Sequence, residues 1–180
     1  MIWEIDPTHS HVSFAIRVMS VTTTRGRFNT LRGQLHIDEQ NPTRSWVAAE
    51  VDATSIDTQN VLRDAHLRSN GFFAVKKYPT ILFQSTRVEH RGGTAYKVTG
   101  NLTLLGITKP ITFDVAYNGP SAGLDMHTAL TAKATINRRD FGLGQGMMVR
   151  FAASDRATIE IALAAVQKSM KEPETVYGNR

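Results

Sequence analysis

The chain of 180 residues has no cysteine, which excludes a disulfide framework, thiol chemistry and the Cys-based zinc sites. Long apolar runs are missing as well. No stretch approaches the roughly 20 apolar residues of a membrane-spanning helix, so stable membrane insertion is not expected. Acidic side chains are the scarcer charge, 16 against 21 Lys and Arg, leaving a formal net charge of +5. That balance suits phosphate head groups, membrane surfaces or nucleic acid, and equally a soluble basic protein without an anionic partner. The opening MIWEIDPTHS has neither a basic n-region nor an apolar h-region. A cytoplasmic protein is therefore expected, or an exported one if a signal has been trimmed from the chain. Helical periodicity is rare too, being confined to one segment.

What the chain does have is alternation. With 41% hydrophobic residues, it is long enough for one sizeable core and short for two. From Ser10, the residues Val12, Phe14, Ile16 and Val18 share one face. Leu35 and Ile37 alternate with polar neighbours in a second strand, which Gly26 and Gly33 can bend. Val47, Ala49 and Val51 mark a third strand, and Ile81 and Phe83 open a fourth. Gly92-Gly93 reads as a hairpin turn before Tyr96, Val98, Leu102 and Leu104, and Gly106 with Pro110 reads as the next reversal. Ile111, Phe113, Val115 and Tyr117 carry the sixth strand, the even positions from Met126 to Ile136 the seventh, and the odd positions from Ala157 to Ala165 the eighth. Eight neighbouring strands predict an all-β, eight-stranded up-and-down antiparallel barrel. Residues 1–167 form it and residues 168–180 read as a solvated polar tail.

One stretch breaks the pattern, TSIDTQNVLRDAHLRSNGFFAVKKYPTILF from Thr54 to Phe83. Thr58 can cap a short helix whose apolar face is Val61, Leu62 and Ala65, inserted between strands three and four. Asp64 and Arg68 have the spacing of a helix ion pair, and Gly71 offers a stop. His9, Ser10, Asp64 and His66 are the residue types of a nucleophilic site at the barrel mouth, but Ser10 lies in no G-x-S-x-G elbow. Asp64 reads better as a polar clamp on the helix. His9 and His11 share a strand face, which alone is a weak basis for a metal site. Gly142, Gly144 and Gly146 lack the Lys-Ser/Thr of a phosphate loop, and Met147 and Met148 beside them suit packing. Nucleic-acid binding would call for exposed aromatics among basic residues, and the aromatics here fall on inward faces.

RDAHLRSNGFF with YPTILFQST resembles the signature of the YceI-like family, lipid-binding barrels of lipocalin-like shape. WEIDPTHSHVSF, GRF at 26–28, TGNLTLLGITKPITF at 99–113 and INRRDFGLG at 136–144 agree with it, in the family's order, over residues 3 to 166. Val18, Gly71 and Ala74 depart from it, the first where the family often has His and the others where it often has acids. The resemblance implies a protein without a catalytic role, metal or cofactor, which sequesters or transports a long-chain isoprenoid or similar lipid and has a link to stress response. The ligands it implies are an isoprenyl pyrophosphate, an isoprenoid quinone or a fatty amide, and the protein is expected as a monomer or homodimer. An enzyme acting at the mouth and a packed-barrel stress or interaction protein are the alternatives. The expected tunnel wall is Phe14, Ile16, Phe28, Leu35, Phe83, Leu102, Leu104, Phe113, Val115 and Ile161, each on the apolar side of its alternation. The helix insert interrupts the wall, so the lipid's polar end is expected there, met by Arg63 and His66 with Arg25, Arg27, Lys76 and Lys77 behind them.

Overall fold

The computed structural model describes residues 2–121, 126–144 and 153–167. The polar tail from 168 and the Gly146, Met147 and Met148 positions lie outside the described residues. Eleven strand segments are β1 (Ile2–Ile5), β2 (His11–Val18), β3 (Thr22–Phe28), β4 (Leu31–His36), β5 (Trp46–Asp52), β6 (Ile56–Asp57), β7 (Thr80–Gly92), β8 (Ala95–Leu104), β9 (Ile107–Tyr117), β10 (His127–Asn137) and β11 (Ala153–Val166). The helix α1 (Val61–Arg68) stands between β6 and β7.

These segments make a closed eight-stranded antiparallel barrel, because three of its strands are each broken once. β1 and β2 run along the same edge of β11, with Ile5 opposite Ala165 and Val12 opposite Ile161. The pair β3 and β4 lies against them, and β5 and β6 lie against that pair in turn. β7 to β11 then follow as a meander, and β11 returns to the first strand to close the wall. Closure gives every strand of the circuit a partner on both sides over at least part of its length.

The sequence reading starts its first strand at Ser10 and so omits β1, whose Trp3 and Ile5 are both buried. It also treats the second strand as continuous. A break at Asn29–Thr30 instead shifts the alternation by one residue, so that Phe28 and Leu31 both turn inward. The neighbouring breaks do the same for Ile5 with Val12 and for Val51 with Ile56. Hydrogen bonds join the broken places: the Asn29 N–H donates to the Ser55 carbonyl at 3.2 Å, the Thr30 N–H to Ser55 Oγ at 3.1 Å and the Asp52 N–H to the Thr30 carbonyl at 3.1 Å.

Pro110 does not punctuate a reversal. The turn is at Leu105 and Gly106, both with positive φ, and Pro110 lies within β9 opposite Asn101. It is tolerated because β9 pairs with β10 only from Asp114 to Tyr117. The first part of β9 has no ladder partner on that side, so the missing N–H removes no bond.

Candidate functional site

A cavity of about 570 Å³ runs along the barrel interior. All ten residues of the expected tunnel wall line it, and Val47, Ala49, Val51, Tyr96 and Ile159 complete much of the apolar surface. Phe83 and Phe113 meet edge to face at 5.2 Å, and Phe14 tilts against Phe28 at 5.6 Å. Phe14, Ile16, Val115 and Ile161 are only half-buried because their inner faces border open volume. At about 30 Å³ for a water-sized group, the space accommodates roughly twenty such groups in line or folded.

The two ends of the cavity are built differently. At one end stand α1, the β2–β3 and β8–β9 turns and the turn at Arg138–Phe141. Here the segment after α1 folds inward, with Phe73 packing edge to face on Phe28 at 5.3 Å, while the Gly144 N–H donates to the Gly71 carbonyl at 3.0 Å from across the opening. Arg63 and His66 line the cavity here and are also exposed, so the cavity reaches solvent at this end, the mouth, as it does beside the exposed Glu39 at the other. At the opposite end Trp3 and Ile5 pack with Leu35, Leu163 and Ala165. Tyr117 is buried there and its hydroxyl donates to Glu39 Oε1 at 3.1 Å, with the Tyr96 ring edge-on at 6.1 Å. Burial foremost, with Glu39 adding to it, raises the Tyr117 phenol above its ordinary range.

α1 is held by its polar side. Asn60, not Thr58, is its cap and accepts from the Arg63 N–H at 3.0 Å. Thr58 instead points both its N–H and its hydroxyl at the buried Asp64 carboxylate, at 2.9 and 2.5 Å. Asp64 is thus a clamp, and it does not pair with Arg68, which donates to the carbonyls of Thr54 and Ile56. Nor is the expected apolar face of Val61, Leu62 and Ala65 packed inward. All three are exposed, because the clamp turns the opposite side of the helix toward the barrel.

Of the expected head-group residues, only Arg63 and His66 reach the cavity. Arg63 donates through Nε to Thr58 Oγ1 and through Nη2 to the Thr58 carbonyl, both at 2.8 Å. His66 meets the Phe72 ring edge-on at 4.8 Å. Arg25 and Arg27 stand exposed on the outer wall, since the alternation that turns Phe28 inward turns them outward. Lys76 and Lys77 are likewise exposed and away from the cavity, Lys77 lying over the Tyr78 ring. A cation that alternation did not suggest, Arg138, is buried at the cavity wall and donates to the carbonyls of Leu143, Gly144, Ala153 and Ser154.

The four residues of the nucleophilic alternative are not brought together. Ser10 is buried against β11, donating to the Ala164 carbonyl at 3.1 Å and accepting from its N–H at 2.9 Å. His9 Nδ1 lies 2.7 Å from Asp6 Oδ2, an interaction that, with the Thr8 N–H, holds the Asp6 carboxyl below its usual range. Asp64 and His66 belong to α1 at the mouth, whereas Ser10 and His9 lie toward the closed end. Among the described residues, no three His, Asp or Glu side chains converge as a metal site would need.

Several known proteins are similar to this chain in sequence or fold. A UPF0312 protein of Pseudomonas aeruginosa is 37% identical over 143 residues, 75% of this chain and 71% of its own length. One from Vibrio parahaemolyticus is 40% identical over 111 residues, 62% of this chain and 59% of its own. Among solved structures, the Campylobacter jejuni YceI protein matches with a TM-score of 0.74 at 25% identity, over 83% of this chain and 88% of that one. Burkholderia cenocepacia BcnA matches with a TM-score of 0.80 at 24% identity, over 89% and 98%. A polyisoprenoid binding domain from Saccharophagus degradans matches with a TM-score of 0.69 at 14% identity, over 92% and 98%, a likeness of fold. The YceI-like domain itself matches residues 3–165, all but the first and last residues of the barrel, and the chain is a member of that family.

Proposed function

We propose that the protein binds and carries a long-chain lipid of the isoprenoid type inside its barrel, tail along the cavity and head at Arg63 and His66. The observation that carries this reading is the cavity itself, about 570 Å³ with an almost wholly hydrocarbon lining and polar groups at its ends, Arg63 and His66 at the mouth and Asp38, Glu39 and Ser45 opposite. A packed-barrel protein would have filled that volume with side chains. Each buried methylene contributes about 0.8 kcal/mol, on the order of 4 kcal/mol per five-carbon unit before ordering costs. A tail a few units long therefore binds tightly without polar help. The Saccharophagus degradans domain of the same fold, described as binding polyisoprenoids, is consistent with this reading.

The mouth favours a neutral head over a pyrophosphate. Two donor groups of Arg63 already serve Thr58, so its guanidinium cannot offer that edge to a phosphate. Arg25, Arg27 and Lys76 cannot supplement it from outside the wall. An isoprenoid quinone or a fatty amide, meeting the imidazole and the terminal donors that Arg63 keeps free of Thr58, fits better.

Organic extraction of the purified protein with mass spectrometry tests both statements. A co-purifying isoprenoid or fatty amide is expected from the parent. Phe14→Asp places a carboxylate in the cavity wall, and the protein is expected to keep its circular dichroism while losing that lipid. A lipid-free parent, together with unfolding of Phe14→Asp, would favour a filled interior instead. A pyrophosphate-bearing isoprenoid that outcompetes the quinone of equal length, and loses that advantage in Arg63→Met, would reverse the head-group assignment.

A further inference from the structure

We propose that the mouth end of the barrel docks on the surface of an anionic lipid bilayer. This goes beyond the cavity reading and does not depend on what the cavity holds. Large aliphatic side chains stand in solvent on two separate elements of this end: Met19 and Val21 at the β2–β3 turn, and Val61 and Leu62 in the first turn of α1, with Val21, Val61 and Leu62 at 85%, 85% and 84% exposure. The helix buries Asp64 and presents Val61 and Leu62 outward, leaving only Leu67 of its large aliphatic residues against the core. A helix serving only as a plug would gain by the opposite orientation. The turn is also unusual, since Met19 and Ser20 both adopt left-handed backbone (φ 56° and 57°) where Asn and Gly are preferred, and the tip stays aliphatic.

Cations surround these prongs. Arg17, Arg25 and Arg27 are exposed on the β2–β3 hairpin, which has no acidic residue between positions 17 and 28, and Lys76 and Lys77 are exposed on the return from α1. Arg25, Arg27, Lys76 and Lys77 are the expected head-group residues that do not line the cavity. Aliphatic prongs ringed by Arg and Lys match a deformable surface with an apolar interior and anionic head groups. Docked this way, the mouth opens directly onto the bilayer.

Vesicle flotation of the full chain tests the proposal. Binding is expected to vesicles of equal parts phosphatidylcholine and phosphatidylglycerol, about tenfold or more tighter than to phosphatidylcholine alone, and weakening as salt rises. Val61→Ser combined with Leu62→Ser should reduce vesicle binding about tenfold or more, with circular dichroism unchanged because these side chains are exposed. Lys76→Gln with Lys77→Gln should reduce the preference for anionic vesicles several-fold. Ile2→Ser, an exposed aliphatic at the opposite end, should leave binding as it was. Absence of binding to either vesicle, or equal loss in Ile2→Ser, overturns the proposal. So does a concentration-dependent dimer that the Val61 and Leu62 changes abolish without any vesicle binding, which would assign the face to a second copy of the chain.

Discussion

The two ends of the barrel enclose one cavity by opposite means. At the closed end, apolar packing of Trp3, Ile5 and Leu163 is finished by a buried tyrosine bonded to Glu39. At the mouth, a short helix is held by polar groups around Thr58, and its Val61 and Leu62 face solvent. Packing resists opening because every displaced side chain loses contacts on all sides. A few hydrogen bonds can exchange with water at little net loss. The difference teaches that one end is a floor and the other a door.

Breaking the door should have the largest effect. Asp64→Ala leaves the Thr58 N–H and hydroxyl without their acceptor in a buried place, and a loss of about 3 kcal/mol is expected. Hydrogen exchange should show the loosening at α1 and not at β1 or β4. Protection lost equally at both ends would mean that the two closures are one cooperative unit. Narrowing the passage comes next. A Cβ at Gly26 would lie 2.4 Å from Phe14 Cζ and 2.7 Å from Thr58 Cγ2, so Gly26→Ala drives the phenyl ring into the cavity. The expected outcome is about 1–2 kcal/mol of strain and a shorter preferred lipid, read from the chain lengths recovered on extraction.

The floor should respond more mildly. Tyr117→Phe removes one hydrogen bond and about 1 kcal/mol, visible as a lowered thermal midpoint with lipid retained. Its pH signature is specific. Because burial raises the Tyr117 phenol in the folded protein, its contribution is intact below its ordinary value of 10.0 and is lost as pH rises through the raised folded value. The phenylalanine variant should therefore show a flatter alkaline decline of the melting temperature. An unchanged alkaline limb would mean that another group controls it.

Most of the wall was legible in the sequence, because alternation reports a half-buried strand directly and the neighbouring order of strands leaves few topologies. The misses have physical reasons. At Asn29–Thr30 and its two counterparts, one extra residue flips the faces, and only pairing across three strands reveals it. In α1 the period-3.6 pattern correctly marked a helix, but the buried bonds of Asp64 to Thr58 outweighed the pull of Val61 and Leu62, which no amphipathic pattern anticipates. Arg25 and Arg27 were recoverable. Reading Phe28 inward already placed them outside, and proximity to the insert was a weaker guide than strand parity. The Tyr117–Glu39 bond, by contrast, joins residues 78 positions apart and leaves no local trace.

The partial ladder between β9 and β10 has a mechanical meaning. In a closed barrel each ring of ladder bonds acts as a hoop and sets the girth at that height. Between β9 and β10 those bonds join only Asp114–Tyr117 to Leu130–Lys133, and toward the mouth the two strands run on without pairing, with no donor from Pro110 to join them. Girth there is limited only by side chains such as Phe113 and Ala134, which pack across the gap. The tube is expandable along this seam at its rim, so a branched or bulky molecule can enter by spreading β9 from β10 without unzipping any strand.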